Sequence, residues 1–301
     1  ESIRGQFYPY WELCLIDDGS GDASLSALLA ELAASDSRIR VLVQPRNGGI
    51  AAASNAGIAS CSGEFIALCD HDDELTPDAL YWVAVTLATA PHTDIIYSDE
   101  DKIDTRGVCS EPFLKPDFSP ELLLNYMYTG HLTVYRKSLV QELGGFRSEF
   151  DFSQDYDLML RAVDASDTDV LHLPLVLYQW RSHPESTAGA EGGEAKPYSR
   201  VNGMRAVTEA AARHGREVEV DIDPFTDHYR LQWALPDPLP KVSVVIPTKD
   251  QPDLLLGCIA SIFARSTYAD LELVLVDNGS TDRRTLALYE SLADSEHDVK
   301  V

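Results

Sequence analysis

The sequence is short of positive charge. It holds 24 Lys and Arg against 49 Asp and Glu, which gives a formal net charge of −25 at pH 7. A protein that binds nucleic acid needs clustered cations to neutralise phosphates, and no stretch of this chain concentrates Lys and Arg in that way. The composition therefore argues against a nucleic-acid partner. It leaves room for a small anionic ligand, provided that a metal ion or a few arginines lie at the binding site.

Cysteine is scarce and scattered. The five cysteines show no C-x-x-C spacing and are odd in number: Cys14, Cys61, Cys69, Cys109 and Cys258. This distribution excludes the common zinc-site patterns and a disulfide framework. A reducing compartment fits such usage, so we expect a cytoplasmic protein.

Long apolar runs are missing as well. The longest nearly apolar segment, residues 79–90, is shorter than the roughly 20 residues that a membrane-spanning helix needs. No signal peptide is visible, although the chain starts at Glu1 and we expect the natural start to lie upstream. Peripheral association with the inner face of the cytoplasmic membrane, through other parts of the parent protein, stays compatible with this pattern.

The chain repeats its own beginning near its end. YWELCLIDDGSGD (10–22) corresponds to DLELVLVDNGSTD (270–282) at an offset of 260 residues. So long a period indicates a duplicated domain and not a solenoid. We predict a first domain over 1–221 that lacks its first strand, a proline-rich linker over 222–240, and the truncated start of a second domain over 241–301.

Apolar runs and helical spacing alternate along both copies. Strands are predicted at 11–17, 38–43, 64–70 and 94–98, with helices between them at 22–34, 49–60 and 76–89. Further along the chain, strands are predicted at 131–135, 171–174 and 175–181, and a helix at 252–265. This alternation predicts an α/β fold with a mostly parallel sheet and helices on both faces. Aspartates follow several of these strands, and the carboxyl ends of parallel strands meet at one edge, where ligands bind.

The strongest chemical signal is Asp70-His71-Asp72-Asp73, directly after a predicted strand. Carboxylates two residues apart at a strand end suit a hard divalent cation whose remaining ligands are phosphate oxygens and water. The structural alternative is that Asp72 or Asp73 caps the helix that follows.

Two further turns show the same ambiguity. Asp17-Asp18 precedes Gly-Ser and is interpreted as a nucleotide contact or as an Asx-turn. Asn47-Gly48-Gly49 opens a helix and is interpreted as a close approach of backbone to ligand or as a simple turn.

Taken together, these segments resemble glycosyltransferase family 2, enzymes of the GT-A fold that use nucleotide sugars. The resemblance rests on four motifs: VVIPTKD (244–250), LIDDGSGD (15–22), RNGGIAAASNAGI (46–58) and GEFIALCDHDD (63–73). It continues through GGF (144–146) and SQDYDL (153–158). YSDEDKID (97–104) and KPDFSPELLL (115–124) further resemble tandem-domain enzymes of bacterial surface-polysaccharide assembly, such as O-antigen and rhamnan synthesis.

The resemblance implies a role for each matching residue. Asp155 is expected to be the catalytic base. Gln154, which stands where the family has glutamate, and Trp180 are expected on the acceptor side. Mn²⁺ or Mg²⁺ would be held by Asp72 and His183. The remaining expected contacts are with the nucleotide sugar, namely Asp17, Asp18, Gly48, Asn55, Asp70, Asp72 and Arg181.

The expected activity is an inverting, metal-dependent sugar transfer from a UDP- or dTDP-sugar to a glycan or lipid-linked glycan acceptor. Two alternatives stay open. One is a catalytically inactive GT-A scaffold that binds carbohydrate or nucleotide. The other is a nucleotidyltransferase, which should carry a Gly-rich, basic phosphate loop that VVIPTKDQPDLLL does not supply.

Overall fold

The computed structural model describes residues 1–165, 170–182, 197–293 and 298–301. The chain divides into two compact units, Glu1–Trp233 and Ala234–Val301. Among the described helices, none combines the length and the apolar character that crossing a membrane requires.

The first unit opens with two βα repeats. Strand β1 (Leu13–Asp17) pairs in parallel with β2 (Ile39–Val43), and helices α1 (Ala23–Ser35) and α2 (Ile50–Ser60) follow them. Asp22 caps α1 because its carboxylate accepts from two backbone amides of the first turn. Gly57 lets α2 lie close to β1, since a Cβ at that position would fall 2.6 Å from the Cδ1 atom of Ile16.

A six-stranded mixed sheet forms the centre of this unit. Its strands are β3 (Phe65–Ala67), β4 (Glu74–Leu75), β5 (Ile95–Ile103), β6 (Cys109–Phe113), β7 (Thr133–Arg136) and β8 (Leu171–Arg181). The order is β3-β7-β5-β8-β4, with β6 paired to β5. Strands β5 and β8 are parallel, and the other pairs of this sheet are antiparallel.

Helices cover both faces of this sheet, as the sequence predicts. They are α3 (Ala79–Thr89), α4 (Pro120–Leu123), α5 (Lys137–Glu142), α6 (Gln154–Ala165) and α7 (Pro197–Arg213). Alternate residues of β5 enter two separate cores: Ile95 and Tyr97 pack with α6 and α7, and Ile96 packs with α3. The predicted α/β class is confirmed, with the sheet mixed where it was expected to be mostly parallel.

An antiparallel hairpin closes the first unit. Strand β9 (Val218–Ile222) pairs with β10 (Tyr229–Trp233), and the Tyr229 ring packs against the core beneath α6. Part of the range predicted as a linker, 222–240, is therefore regular structure.

The second unit is a three-stranded parallel sheet with two helices. Its elements are β11 (Val242–Thr248), α8 (Pro252–Arg265), β12 (Leu271–Asp277), α9 (Arg283–Ala293) and β13 (Val299–Lys300). The turn after β12 repeats the turn after β1. Asp277 Oδ1 accepts from the Ser280 amide at 3.1 Å, and Asp17 Oδ1 accepts from the Ser20 amide at 3.0 Å.

Candidate active site

The acidic loop between β3 and β4 carries three carboxylates in different environments. The side chain of Asp70 is 58% exposed and that of Asp72 31% exposed, while Asp73 is buried. Asp73 accepts hydrogen bonds from the Tyr178 hydroxyl and from the Arg181 backbone amide at 2.7 Å. Burial raises the pKa of Asp73, and these two donors oppose the shift. The capping alternative does not apply to Asp73, because α3 begins at Ala79.

Arg181, at the end of β8, holds this loop from the other side. Its Nε donates to the Asp72 carbonyl at 2.6 Å, and its guanidinium pairs with Glu74. Tyr178 also accepts from the Asp70 amide at 3.2 Å, so four residues of the segment 70–74 are tied to β8, namely Asp70, Asp72, Asp73 and Glu74. Arg181 was predicted to contact the nucleotide sugar; the structure places its guanidinium on the carboxylate loop, and the ligand contact stays a prediction.

His131 lies at the centre of the site, although no sequence motif assigned it a role. Its ring stacks on Tyr178 with centroids 4.6 Å apart. Its Nε2 lies 4.0 Å from Asp70 Oδ2, and its Nδ1 lies 4.0 Å from Glu100 Oε2. The sequence marked residues 131–135 as a strand and offered no further signal for a histidine whose importance comes from tertiary contacts.

A buried ion pair between Lys115 and Glu100 holds the backbone of His131. The Lys115 side chain has no exposed surface, and its ammonium lies 2.9 Å from Glu100 Oε2. The same ammonium donates to the carbonyls of Thr129 and His131. Glu100 Oε2 in turn accepts from the His131 amide at 2.8 Å. Burial lowers the pKa of Lys115, and the Glu100 carboxylate opposes that shift.

Asp155, the predicted catalytic base, lies in the first turn of α6 and is half-buried. Its Oδ1 accepts from the Tyr156 amide at 2.8 Å. Desolvation raises the pKa of Asp155; the Tyr156 amide and the charge of His131 lower it, and the charge of Asp70 raises it further. The structure therefore brings Asp155 into electrostatic range of Asp70, the first residue of the acidic loop.

The two residues predicted on the acceptor side lie on different elements. Gln154 begins α6, and within the described part of the chain its buried Oε1 finds no hydrogen-bond partner. Trp180 lies on β8 opposite Lys102 of β5, with its ring 5.9 Å from that of His131.

The predicted nucleotide contacts near β1 form a second group. Asp17 is buried at the end of the strand. Both oxygens of Asp18 accept from the Gly48 amide, at 3.0 and 3.1 Å, and one also accepts from the Gly49 amide at 2.9 Å. Gly49 has a φ of +88°, and a Cβ there would lie 2.5 Å from Asp151 Oδ2, so a side chain is excluded. Asp18 thus shapes the glycine turn itself.

Asn55, on α2, hydrogen-bonds to the backbone of Phe146 through both ends of its side-chain amide. Nδ2 donates to the Phe146 carbonyl and Oδ1 accepts from its amide, both at 2.8 Å. The predicted role of Asn55 in binding a nucleotide sugar stays a prediction.

Oxygen ligands of the Asp70–Asp72 loop are of the type that Mg²⁺ and Mn²⁺ prefer. Such ions are commonly held by one or two carboxylates together with substrate phosphates and water. Within the described residues, no group of three or more His, Cys, Asp or Glu side chains is placed to hold a metal ion. His183, the second predicted ligand, lies outside the described residues.

Known proteins match both the sequence and the fold. A family model described as Glycosyl transferase family 2 matches residues 1–144 and 243–301. The O-antigen biosynthesis protein RfbC of Myxococcus xanthus is 39% identical over 293 residues, which are 97% of this chain and 23% of RfbC. The uncharacterized glycosyltransferase YwdF of Bacillus subtilis is 31% identical over 205 residues, 66% of this chain and 74% of YwdF.

A longer match comes from the uncharacterized protein y4gI of Sinorhizobium fredii, 41% identical over 303 residues, which cover 100% of this chain and 33% of that protein. Among solved structures, the crystal structure of S. aureus TarS 1-349 in complex with UDP gives a TM-score of 0.51 at 20% identity, covering 71% of this chain and 65% of TarS 1-349.

The mixed sheet, its flanking helices and this structural likeness define a GT-A fold. The chain belongs to glycosyl transferase family 2. It spans 33% of the length of y4gI and 23% of that of RfbC.

Proposed function

We propose that this protein transfers a glycosyl group, with inversion, from a nucleoside-diphosphate sugar to a glycan acceptor in bacterial surface-polysaccharide biosynthesis. One observation carries the proposal. A half-buried carboxyl, Asp155, lies in electrostatic range of Asp70 at the strand-end acidic loop, with His131 acting on both. The likeness to RfbC and to a TarS structure that contains UDP also supports the proposal of glycosyl transfer from a nucleotide sugar.

Asp155 is proposed as the general base. Its raised pKa makes it a stronger proton acceptor than an exposed aspartate. It takes the proton of the acceptor hydroxyl while that oxygen bonds to the anomeric carbon and the bond from this carbon to the diphosphate breaks. A single displacement of this kind inverts the anomeric configuration.

The acidic loop is proposed to face the donor diphosphate. Asp70 would contact the ribose or the diphosphate, and Asp72, together with His183 outside the described residues, would hold Mn²⁺ or Mg²⁺. A bound divalent cation supplies positive charge that offsets the charge gathering on the leaving diphosphate. Arg181, Tyr178 and Asp73 keep the loop in one conformation before the ligand arrives.

The nucleoside end of a UDP- or dTDP-sugar is proposed to lie against Asp17 and the glycine turn. Asp18 contributes by fixing the amides of Gly48 and Gly49. The further assignments are proposals of the same kind: Asn55 and Arg181 near the donor, and Gln154 and Trp180 near a glycan or lipid-linked glycan acceptor.

A tandem arrangement belongs to the same proposal. The Asp–Ser turns after β1 and β12 match at the 260-residue offset, and the family model covers residues on both sides of 222–240. We propose that 1–221 and 241–301 belong to two transferase domains of a longer cytoplasmic protein, associated with the inner face of the membrane through its other parts.

The decisive experiment is a thermal-shift panel of UDP- and dTDP-sugars with and without Mn²⁺. Stabilisation by one donor that depends on metal, lost in Asp72→Asn and kept in the exposed control Asp227→Asn, is the expected result. No stabilisation by any donor would contradict the proposal.

A catalytically inactive scaffold is the second candidate, favoured by one observation: Gln154 stands where the family has glutamate. An assay of nucleotide release separates the two. Release that is equally slow in the wild type and in Asp155→Asn, despite donor binding, would favour the scaffold.

A further inference from the structure

A cleft of about 340 Å³ lies beside the candidate active site, on the sheet itself. Two aromatic rings and four charged side chains contribute to its lining, namely Phe113, Trp180, Glu100, Asp101, Lys102 and Glu111. Its volume lies in the range of small-molecule sites, roughly 300–1,000 Å³. None of the roles assigned above uses Phe113, Lys102 or Glu111.

Strand register explains why these side chains meet. On β5, Glu100 lies opposite Phe113 of β6 and Tyr178 of β8, and Lys102 lies opposite Trp180. Side chains two residues apart along a strand share a face, so Glu100 and Lys102 form a floor between the two neighbouring strands. The aromatic rings belong to the strands on either side of this floor.

Phe113 is held in place and still accessible. The Lys115 ammonium lies 5.7 Å from the centroid of its ring, within cation–π range. Phe113 nevertheless keeps 37% of its surface exposed. An ordered, partly exposed aromatic ring costs little entropy when a ligand packs on it, and it suits the apolar face of a flat ligand.

Three of the four charged side chains of the cleft are paired. The fourth, Asp101, adds another carboxylate, and its buried Oδ1 finds no hydrogen-bond partner within the described residues. Lys102 Nζ lies 2.7 Å from Glu111 Oε2, and Lys115, behind Phe113, lies 2.9 Å from Glu100. An anionic ligand would have to displace one of these carboxylates. A neutral ligand rich in hydroxyl groups can instead donate to Glu111, whose side chain is 69% exposed, and to the 11% of the Glu100 side chain that stays accessible, without breaking a pair.

The cleft adjoins the proposed chemistry through two shared residues. Glu100 lines the cleft and lies 4.0 Å from His131 Nδ1, while the other ring nitrogen of His131 lies 4.0 Å from Asp70. Trp180 lines the cleft and contacts the same histidine ring. A ligand in the cleft therefore lies next to the group that acts on Asp70 and Asp155.

We infer that this cleft is a saccharide subsite, occupied by a neutral sugar unit of the acceptor glycan whose apolar face packs on Phe113 and Trp180 and whose hydroxyls bind Glu111 and Glu100. As an acceptor subsite it rests on the proposed function. It adds two things to that function: a location for the acceptor away from the donor, and a preference for uncharged sugars.

The test is saturation-transfer difference NMR on the full chain with neutral tetrasaccharides of glucose, mannose or rhamnose, and with tetragalacturonic acid as the acidic probe. We expect at least one neutral probe to bind and the acidic probe not to bind. Phe113→Ala should raise the dissociation constant of the neutral probe about five- to tenfold, in line with one lost aromatic contact. Phe225→Ala, which removes a ring 94% exposed elsewhere in the unit, should leave it unchanged.

Two further variants make the inference sharper. Trp180→Phe keeps a ring in the cleft and should weaken binding of the neutral probe less than Phe113→Ala does. Glu111→Lys removes the partner of Lys102 and adds a second cation, so it should allow the acidic probe to bind. If no neutral probe binds, or if Phe113→Ala binds as the wild type does, the inference is wrong.

Donor binding, measured in parallel by the thermal-shift panel, keeps this result separate from the proposed function. Neutral-probe binding at the cleft without any donor binding would retain the saccharide subsite and overturn the transferase proposal. Donor binding without neutral-probe binding would overturn the subsite alone.

Discussion

Asn55 pairs with the backbone of Phe146 in the way that one strand pairs with another. Its amide both donates to and accepts from that residue, at 2.8 Å in each direction, across 91 positions of sequence. Gly145, with φ of +76°, makes the approach possible, since a Cβ there would lie 2.3 Å from Asn55 Oδ1. The pair anchors α2 to the segment that leads into α6 and Asp155.

Replacement of Asn55 by Ala is therefore expected to destabilise the first unit. Two backbone groups of Phe146 lose their partners, and we expect a loss of roughly 2–4 kcal/mol in the free energy of unfolding. Urea unfolding measures it. Asn125→Ala is the control, because it removes one exposed hydrogen bond to the Glu121 carbonyl and should cost far less. Unchanged stability with weakened donor binding would instead favour the predicted ligand contact.

Arg181→Lys should loosen the acidic loop. A lysine cannot bridge the Asp72 carbonyl and the Glu74 carboxylate as the guanidinium does. We expect faster amide hydrogen exchange over residues 70–74 and a higher KM for the donor with a smaller change in kcat. Arg106→Lys is the matched control, since that guanidinium is 80% exposed and binds Asp104 in a turn. Equal amide exchange over residues 70–74 in both variants would show that Arg181 does not hold the loop.

Lys115→Met should be among the most damaging single changes. It leaves the Glu100 carboxylate buried without its cation, and loss of one partner of a buried pair costs roughly 3–5 kcal/mol. Adding Glu100→Gln to Lys115→Met should recover part of the loss, which a double-mutant cycle in urea measures. Lys102→Met, at the exposed pair with Glu111, should change stability by less than about 1 kcal/mol. A double variant no better than the single one would contradict the pairing.

Asp155→Asn should lower transfer and raise stability at once. Removal of a general base typically costs roughly 10²–10⁴-fold in rate. The folded-state pKa of Asp155 is raised by burial, so above that pKa folding has to bury an ionised carboxylate, and the isosteric amide removes this cost. A gain of 1 kcal/mol corresponds to roughly 2–4 °C in Tm for a unit of this size.

The sign of this effect fixes its pH dependence. Because the pKa of Asp155 lies above its ordinary value, the favourable protonated form is lost as pH rises through the raised pKa. The Tm difference between Asp155→Asn and the wild type should therefore be largest at neutral pH and shrink toward pH 4. The transfer rate of the wild type should rise over the same interval. A Tm difference independent of pH would rule out this origin.

Local patterns predicted much of the fold. Helix α1 begins after Asp22, and α8 spans the predicted residues 252–265, because capping residues and apolar spacing act within a few residues. Longer-range effects changed other elements. Strand β5, predicted to end at residue 98, continues to Ile103, because Lys115 pairs with the buried Glu100 and His172 hydrogen-bonds to the buried Asp99 from distant parts of the chain.

Strand β8 shows the same limit. The sequence suggested two strands, at 171–174 and 175–181, since Pro174 interrupts the run. The structure has one strand in which the register against β5 shifts at this point and leaves Pro174 exposed. The candidate site divides similarly. The aspartates are visible as a motif, whereas His131 acquires its position from tertiary contacts, namely the stacking on Tyr178 and the hydrogen bonds of its backbone with Glu100 and Lys115.

The enclosure of Lys115 also makes this lysine a chemical probe of local opening at the site. Its ammonium is surrounded by Glu100 and by the carbonyls of Thr129 and His131, and its side chain has no exposed surface. An amine-acylating reagent can reach it only when these contacts open. Lys102, on the same strand as Glu100 and 30% exposed, reports the intrinsic speed of the reagent. The ratio of the two labelling rates, measured by peptide mass spectrometry, thus reports how often the contacts that enclose Lys115 open.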